Sequence, residues 1–293
     1  MAKFMQRNVE VEVVPAHLPA SAWSATSIES FLGCPLKYWW SKVQRWNTPS
    51  TVPLVVGTSV HEALENLLAL PPGKRTPRAG EEFLAAAVDK TLRSVSGQAI
   101  DPAAVTERAQ RAMGAYWDTE DPGDVEVASN GIEREVKADI GGLAFRGFID
   151  RIAVTDAGLR VTDYKTGAAK TKYWWGYWRQ QLLYAHALGL GDEPIAEVEL
   201  LFLTSPRAVT RPVYGAAVQR ALDDLDVAHT EREHMQLTQV WQARTGPLCN
   251  YCDFAPACPA KRSRAPRPGT AESDELLRQQ GLWQREKPAA AIG

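Results

Sequence analysis

The chain has 293 residues, with 33 Lys and Arg against 35 Asp and Glu, for a formal net charge of −2. Hydrophobic residues make up 45% and charged residues 23%, which excludes a collagen-like chain, a disordered chain and a disulfide-dense mini-protein. Near-neutral charge also excludes a polybasic coat, though not a local basic groove.

Met1 to Ala20 has no basic-then-apolar run and no small-residue cleavage site. No window approaches the roughly 18 consecutive apolar residues of a membrane span. Neither a signal peptide nor a membrane segment is expected, and the expected compartment is the cytoplasm. Ser24 to Glu29 reads as a helix start, with Thr26 and Glu29 in capping-box spacing, and the helix is expected to run through Cys34, with Pro35 marking a break or a new first turn. Gly57 to Leu70 is a second amphipathic helix with Val60, Leu64, Leu67 and Leu68 on one face. Glu81 to Val95 and Pro102 to Trp117 are two more.

The period then changes. Arg134 to Ile140, Leu143 to Val154 and Leu159 to Lys165 read as strands, joined by turns at Gly141-Gly142 and Asp156-Ala157-Gly158. Gln180 to Leu190 returns to helical period, Ala196 to Leu203 reads as a buried strand, and Val218 to Trp241 as a helix. The order predicts an α/β protein whose mixed-sheet core runs αβββαβ, with a helical N-terminal part. Residues 1–23 form a lead, 24–260 a single domain, and 261–293, rich in Pro, Ala, Arg and Glu, an expected disordered tail. Within the domain, 24–120 is helical, 130–205 is the core, and 215–260 carries the last helix and a cysteine segment.

Three of the four cysteines form Cys249-x2-Cys252-x5-Cys258 among prolines 247, 256 and 259, and the fourth is Cys34. A CxxC pair on a tight turn points two thiolates at one metal. With Cys34, the set would clip distant parts of the chain together. On spacing alone the alternatives are a structural zinc site, another four-thiolate site or unligated buried thiols.

The chemistry lies on the strands. Asp150 sits in Arg146-Gly147-Phe148-Ile149-Asp150-Arg151, and Asp163 in Val161-Thr162-Asp163-Tyr164-Lys165. Asp163 and Lys165 share a strand face. Two carboxylates near a core repel unless a divalent cation joins them. That arrangement suits phosphodiester hydrolysis, with Lys165 orienting water or stabilising transition-state charge; the plainer alternative is a surface hairpin with an ordinary Asp–Lys pair. After Asp163 no acidic residue occurs before Asp192, while Lys165, Lys170, Lys172 and Arg179 alternate with Tyr173, Trp174, Trp175, Tyr177 and Trp178. Such a mixture suits a single-stranded nucleic-acid path, with cations on phosphates and rings on bases, or rings that simply pack as core. The chain holds ten tryptophans, against roughly four usual for this length.

Taken together, the motifs resemble the RecB-type nucleases of the PD-(D/E)xK superfamily. The similarity is to the iron–sulfur branch shared by CRISPR adaptation nucleases and actinobacterial RecB-like exonucleases. It is carried in order by Ser24-Ala25-Thr26-Ser27 with Cys34-Pro35, Gly57-Thr58-x2-His61, Gly147-x2-Asp150-Arg151, Asp163-Tyr164-Lys165-Thr166-Gly167, Gln180-x3-Tyr184 and the cysteine segment. The resemblance implies a restriction-endonuclease-like core and a metal-dependent DNA exonuclease acting on single-stranded ends in repair, recombination or related processing. It implies that His61, Asp150 and Asp163 bind Mg2+ or Mn2+, that Gln180 and Tyr184 position substrate or Lys165, and that Glu133 or Glu135 contributes. It further implies that Cys34, Cys249, Cys252 and Cys258 hold a [4Fe–4S] cluster rather than Zn2+. Implied partners are DNA and a separate helicase or CRISPR integration complex, since no GxxxxGK[ST] motif occurs here. The alternatives are a DNA-end-binding module with little cleavage and a zinc-stapled binding protein.

Overall fold

The computed structural model describes residues 7–17, 22–95, 100–167 and 174–285. In chain order its elements are β1 (Arg7–Glu12), α1 (Ala25–Gly33), α2 (Pro35–Tyr38), a π-helical turn (Trp39–Val43), β2 (Trp46–Asn47), α3 (Val52–Leu68), α4 (Pro77–Ser94) and α5 (Pro102–Trp117). There follow β3 (Val127–Ile140), β4 (Leu143–Thr155), β5 (Gly158–Lys165), α6 (Trp174–Gly189), β6 (Ile195–Phe202), β7 (Arg207–Pro212), α7 (Gly215–Thr238), β8 (Val240–Thr245), α8 (Ala271–Gln279) and β9 (Trp283–Gln284). The expected αβββαβ order is present, and the chain divides into two compact units.

One unit comprises Ala22–Ala25 and Ser50–Leu222. Its centre is a five-stranded mixed sheet in the order β3-β4-β5-β6-β7. β3, β4 and β5 form antiparallel neighbours, the first pair closed by a turn in which the Gly142 N–H donates to Asp139 at 2.6 Å. β5 and β6 are parallel, which requires a crossover, and α6 supplies it. Asp163 and Lys165 lie beside Leu200 and Phe202 of β6, on the face that α6 covers.

The other face is covered by α3, α4 and α5. Val60, Leu64, Leu67, Leu84, Val88, Val105, Met113 and Tyr116 pack there with Tyr164, Leu201 and Leu203 of the sheet. Each such burial contributes about 1.5–3 kcal/mol. All three helices start in the same way. Thr51, Thr76 and Asp101 accept a hydrogen bond from the first-turn N–H of Leu54, Ala79 and Ala103, and a proline occupies the first or second helical position. These caps begin α3 and α4 several residues before the apolar periodicity shows.

The other unit comprises Met1–Ser21, Thr26–Pro49 and Asp223–Gly293. β1 pairs antiparallel with β8, Arg7 opposite Thr245, and β2 with β9, Trp46 opposite Gln284. Its core accounts for much of the tryptophan excess: Trp39, Trp40, Trp46 and Trp241 are among the largest fully buried side chains. Tyr38 stacks on Trp241 at 6.3 Å and Trp40 on Phe254 at 5.3 Å.

Three expectations are corrected here. Helix α1 stops at Gly33, and Cys34 is the extended residue that begins α2 at Pro35. Helix α7 ends at Thr238, where Gln239 takes a φ of 56°, so Trp241 lies on a strand. The segment from 261 onward is not a disordered tail through residue 285. Thr270 caps α8, Glu272 and Asp274 favour its N-terminal dipole, and Leu277 is fully buried. Residues 286–293 lie outside the described residues. Among the described residues, no helix is long and apolar enough to cross a membrane.

Candidate active site

Four elements of the sheet-bearing unit, α3, α4, β3 and β4, and the residue after β5 converge on one cleft of about 760 Å3, lined by Gly57, His61, Glu65, Glu133, Asp150 and Thr166 among others. His61 comes from α3. A Cβ on Gly57, one turn earlier, would approach Thr166 Oγ1 to 3.2 Å, so this glycine lets the helix come close to the end of β5. Both ring nitrogens of His61 are engaged. Nε2 donates to the Tyr164 carbonyl at 2.8 Å, and Nδ1 faces Asp150 Oδ2 at 3.4 Å. Burial pulls the His61 pKa down, but the hydrogen bond and charge of Asp150, with Asp163 behind it, outweigh burial and lift it to about 9. Asp150 Oδ2 also accepts the Tyr164 N–H at 2.9 Å, tying the β4 carboxylate to the β5 backbone.

The structure separates Glu133 from Glu135. The β3 register is irregular between Val127 and Ile132, and Asn130 and Glu133 take φ values of 52° and 43°. Left-handed backbone at a non-glycine residue costs roughly 1–3 kcal/mol, and bulges of this kind re-aim side chains. Glu133 joins His61 and Asp150, one ligand atom from each lying within 4.8 Å of the others. Glu135 instead pairs at the surface with Lys137 and Arg146.

This donor set fits a hard divalent cation: one imidazole and two carboxylates that crowd each other. The crowding is visible at Glu133, whose pKa is pushed up to about 7 by burial and then by the charges of Asp150 and Glu65. Asp163, expected as the third ligand, is not part of this trio. It is 4% exposed, and its Oδ2 accepts from the Lys165 ammonium, with Nζ at 2.6 Å. Burial raises the Asp163 pKa against the pull of Lys165; Asp163 in turn raises that of Lys165 against burial.

Helix α6 holds this pair. Gln180 donates to Asp163 Oδ1 at 3.1 Å, so its amide positions the carboxylate rather than Lys165. Tyr184 is 5% exposed and lies against Gly147 of β4. A Cβ at Gly147 would fall 2.2 Å from the Tyr184 ring, so only glycine admits the ring there. Burial, followed by the charges of Asp163 and Asp150, raises the Tyr184 pKa, while Gln180 and the Phe148 backbone hydrogen-bond its hydroxyl.

Sequence reasoning missed the polar network on the other face of β5. Arg151 is 2% exposed, bonds both carboxylate oxygens of Glu120, and donates to Thr162 at 3.2 Å and Glu199 at 3.3 Å. Glu199 also accepts from Thr162 and Thr210, each at 2.9 Å. The Arg151 guanidinium lies 5.6 Å from the centroid of the Tyr164 ring, the residue whose backbone holds His61 and Asp150. Its signal was available: an arginine directly after Asp150 in an apolar strand needs buried acids.

Lys170, Lys172 and Tyr173 lie outside the described residues. Trp178 and Arg179 are buried, at 3% and 4% exposure, and Trp174 stacks on Phe202 at 5.6 Å. The α6 rings therefore pack against protein rather than forming an open base-stacking surface. Trp175 is half-buried under Arg220 of α7.

The four cysteines all fall in the other unit and are partly buried. Among the described residues no three of their sulfurs come within 4.8 Å of one another, so the four thiols are not gathered into one tight group. They are nevertheless in electrostatic reach. Burial raises the pKa of Cys252, with Cys34 and Cys249 adding to it, and raises that of Cys258 to about 11, with Cys34 and Cys252 adding to it.

A model of the PD-(D/E)XK nuclease superfamily matches residues 22–259. The chain belongs to that superfamily, and so to the phosphodiester hydrolases. Among solved structures it is similar to a "Putative exonuclease" from Eubacterium rectale, with a TM-score of 0.51 and 13% identity over 86% of this chain and 91% of that one. That likeness concerns the fold. SSO0001 aligns with a TM-score of 0.33 and 18% identity, over 71% of this chain and 96% of that one. No curated protein matches.

Proposed function

We propose that this nuclease is a Mg2+- or Mn2+-dependent DNA exonuclease acting at single-stranded ends, in DNA repair, recombination or related processing. The observation that carries the reading is the His61–Glu133–Asp150 trio in one cleft with the Asp163–Lys165 pair on the neighbouring strand. His61, Glu133 and Asp150 would hold the cation, with the buried Asp163 oxygen beside them. When bound, such a cation polarises the scissile phosphate and acidifies a water. The chain does the rest. Tyr164 fixes His61 and Asp150 through its backbone, Gln180 holds Asp163, and Asp163 keeps Lys165 charged and aimed. Lys165 then stabilises negative charge developing on the phosphate or orients the attacking water. Helicase or integration-complex partners would supply unwound ends.

The test is digestion of end-labelled single-stranded DNA with and without Mg2+. Glu133→Gln should raise the Mg2+ concentration for half-maximal cleavage at least ~10-fold, and Glu135→Gln should leave it unchanged. Binding of ends without metal-dependent cleavage would instead establish an end-binding module.

The same reading gives Cys34, Cys249, Cys252 and Cys258 a [4Fe–4S] cluster. It rests on the Cys249-x2-Cys252-x5-Cys258 spacing with Cys34 in the same compact unit, and structural zinc is the alternative metal. Protein purified without oxygen should be brown and contain iron; colourless protein carrying zinc alone would refute the cluster.

A further inference from the structure

We propose that Arg207 and Arg211 of β7, with Arg220 of α7, form a phosphate-tracking rail for the single strand, on which Trp174, Trp178 and Trp175 serve as pedestals. The proposal deepens the nuclease reading by naming where the substrate backbone runs. All three arginines are exposed. Each guanidinium lies over one ring: Arg207 at 5.3 Å from the Trp174 centroid, Arg211 at 4.7 Å from Trp178, and Arg220 at 3.9 Å from Trp175. Among the described residues, none of the three is paired with a carboxylate.

A guanidinium stacked on a ring is held in place while its N–H groups stay open to solvent. Three such groups, none held in an ion pair among the described residues, offer fixed positive charge, and a strand of phosphates is the complementary partner. Arg207 and Arg211 share a face of β7 and stand about 13 Å apart along it, more than one nucleotide of an extended strand. The rail also connects with the active site. Lys165 lies 4.5 Å from the Tyr177 centroid, Tyr177 is 6.5 Å from Phe202, and Phe202 stacks on Trp174 beneath Arg207. β7 is an outer strand, and charge alone would protect its edge from pairing. Edge protection does not call for three arginines each seated on a tryptophan.

The experiment is anisotropy of a fluorescent single-stranded oligonucleotide against the full chain in EDTA, across a salt series. Replacing all three arginines with glutamine should lower affinity at least about tenfold at low salt. It should also take about 2 units off the slope of log K against log salt, near 0.7 for each lost phosphate contact. The triple lysine variant should keep the slope. An oligonucleotide with a methylphosphonate backbone, titrated against the unaltered protein, should bind far more weakly, and this arm does not depend on how a variant folds. An unchanged slope, or a methylphosphonate strand bound as tightly as the natural one, overturns the rail. Cleavage is read separately with Mg2+: failure to cleave, with the slope change intact, refutes the nuclease reading and leaves the rail standing.

Discussion

Lys165→Ala is expected to lower cleavage of end-labelled DNA by at least ~10²–10³-fold at saturating Mg2+, the range seen when one preorganised charge-stabilising donor is removed. The loss is compounded by Asp163. Lys165 Nζ is the cation at 2.6 Å from a carboxylate that burial already pushes toward protonation. Without it Asp163 is driven further that way, and the buried oxygen beside the trio loses its charge. Lys165→Arg should not restore the rate, because a planar fork does not replace a compact ammonium seated 4.5 Å from the Tyr177 centroid. Asp163→Ala should match Lys165→Ala, since it removes the group that keeps the lysine charged. Circular dichroism must show both variants folded; full activity in either folded variant sinks the assignment of roles.

Arg151→Met is expected to cost about 3–5 kcal/mol of stability, measured as the shift in urea-unfolding midpoint, because it takes the cation from Glu120 and leaves the buried Glu199 with Arg160 alone at 3.4 Å. The double variant Arg151→Met with Glu199→Gln should recover part of that loss. Replacing both ends of a buried charge pair costs less than breaking it. An effect under ~1 kcal/mol for the single change would show that water enters the network. Activity should fall as well, since Arg151 lies against the ring of Tyr164, whose backbone bonds to both His61 and Asp150.

The core was legible where periodicity and turns agree. α5 spans Pro102–Trp117 as expected, and β4 and β5 fall within a residue of where alternation and the turns put them, while β3 begins at Val127, seven residues before its expected start at Arg134. β7 was not legible: RAVTRP lies at an edge, mostly exposed, and has no apolar alternation to betray it. β1 and β8 were missed because each gains its strand character from the other across more than two hundred residues. At the site, His61, Asp150, Asp163, Lys165, Gln180 and Tyr184 do meet in one region. The choice of Glu133 over Glu135 depends on a backbone irregularity that residue types do not encode. The aromatic segment read ambiguously for a physical reason. Its tryptophans are packed, and the exposed charge over them comes from β7 and α7, elements outside that segment.

The pairing of β1 with β8 and β2 with β9 bears on how the chain is made. A ribosome delivers residues at roughly 5–20 per second. Arg7 therefore waits on the order of tens of seconds for Thr245, its partner 238 residues later. Trp39, Trp40 and Trp46 emerge long before Gly269, Phe254 and Arg278, the late residues that lie against them. Throughout that interval the nascent chain carries unpaired strands and three bare indoles, with Cys34 among them still lacking the other cysteines. The protein is thus more exposed to misassociation and oxidation during its own synthesis than its finished surface suggests.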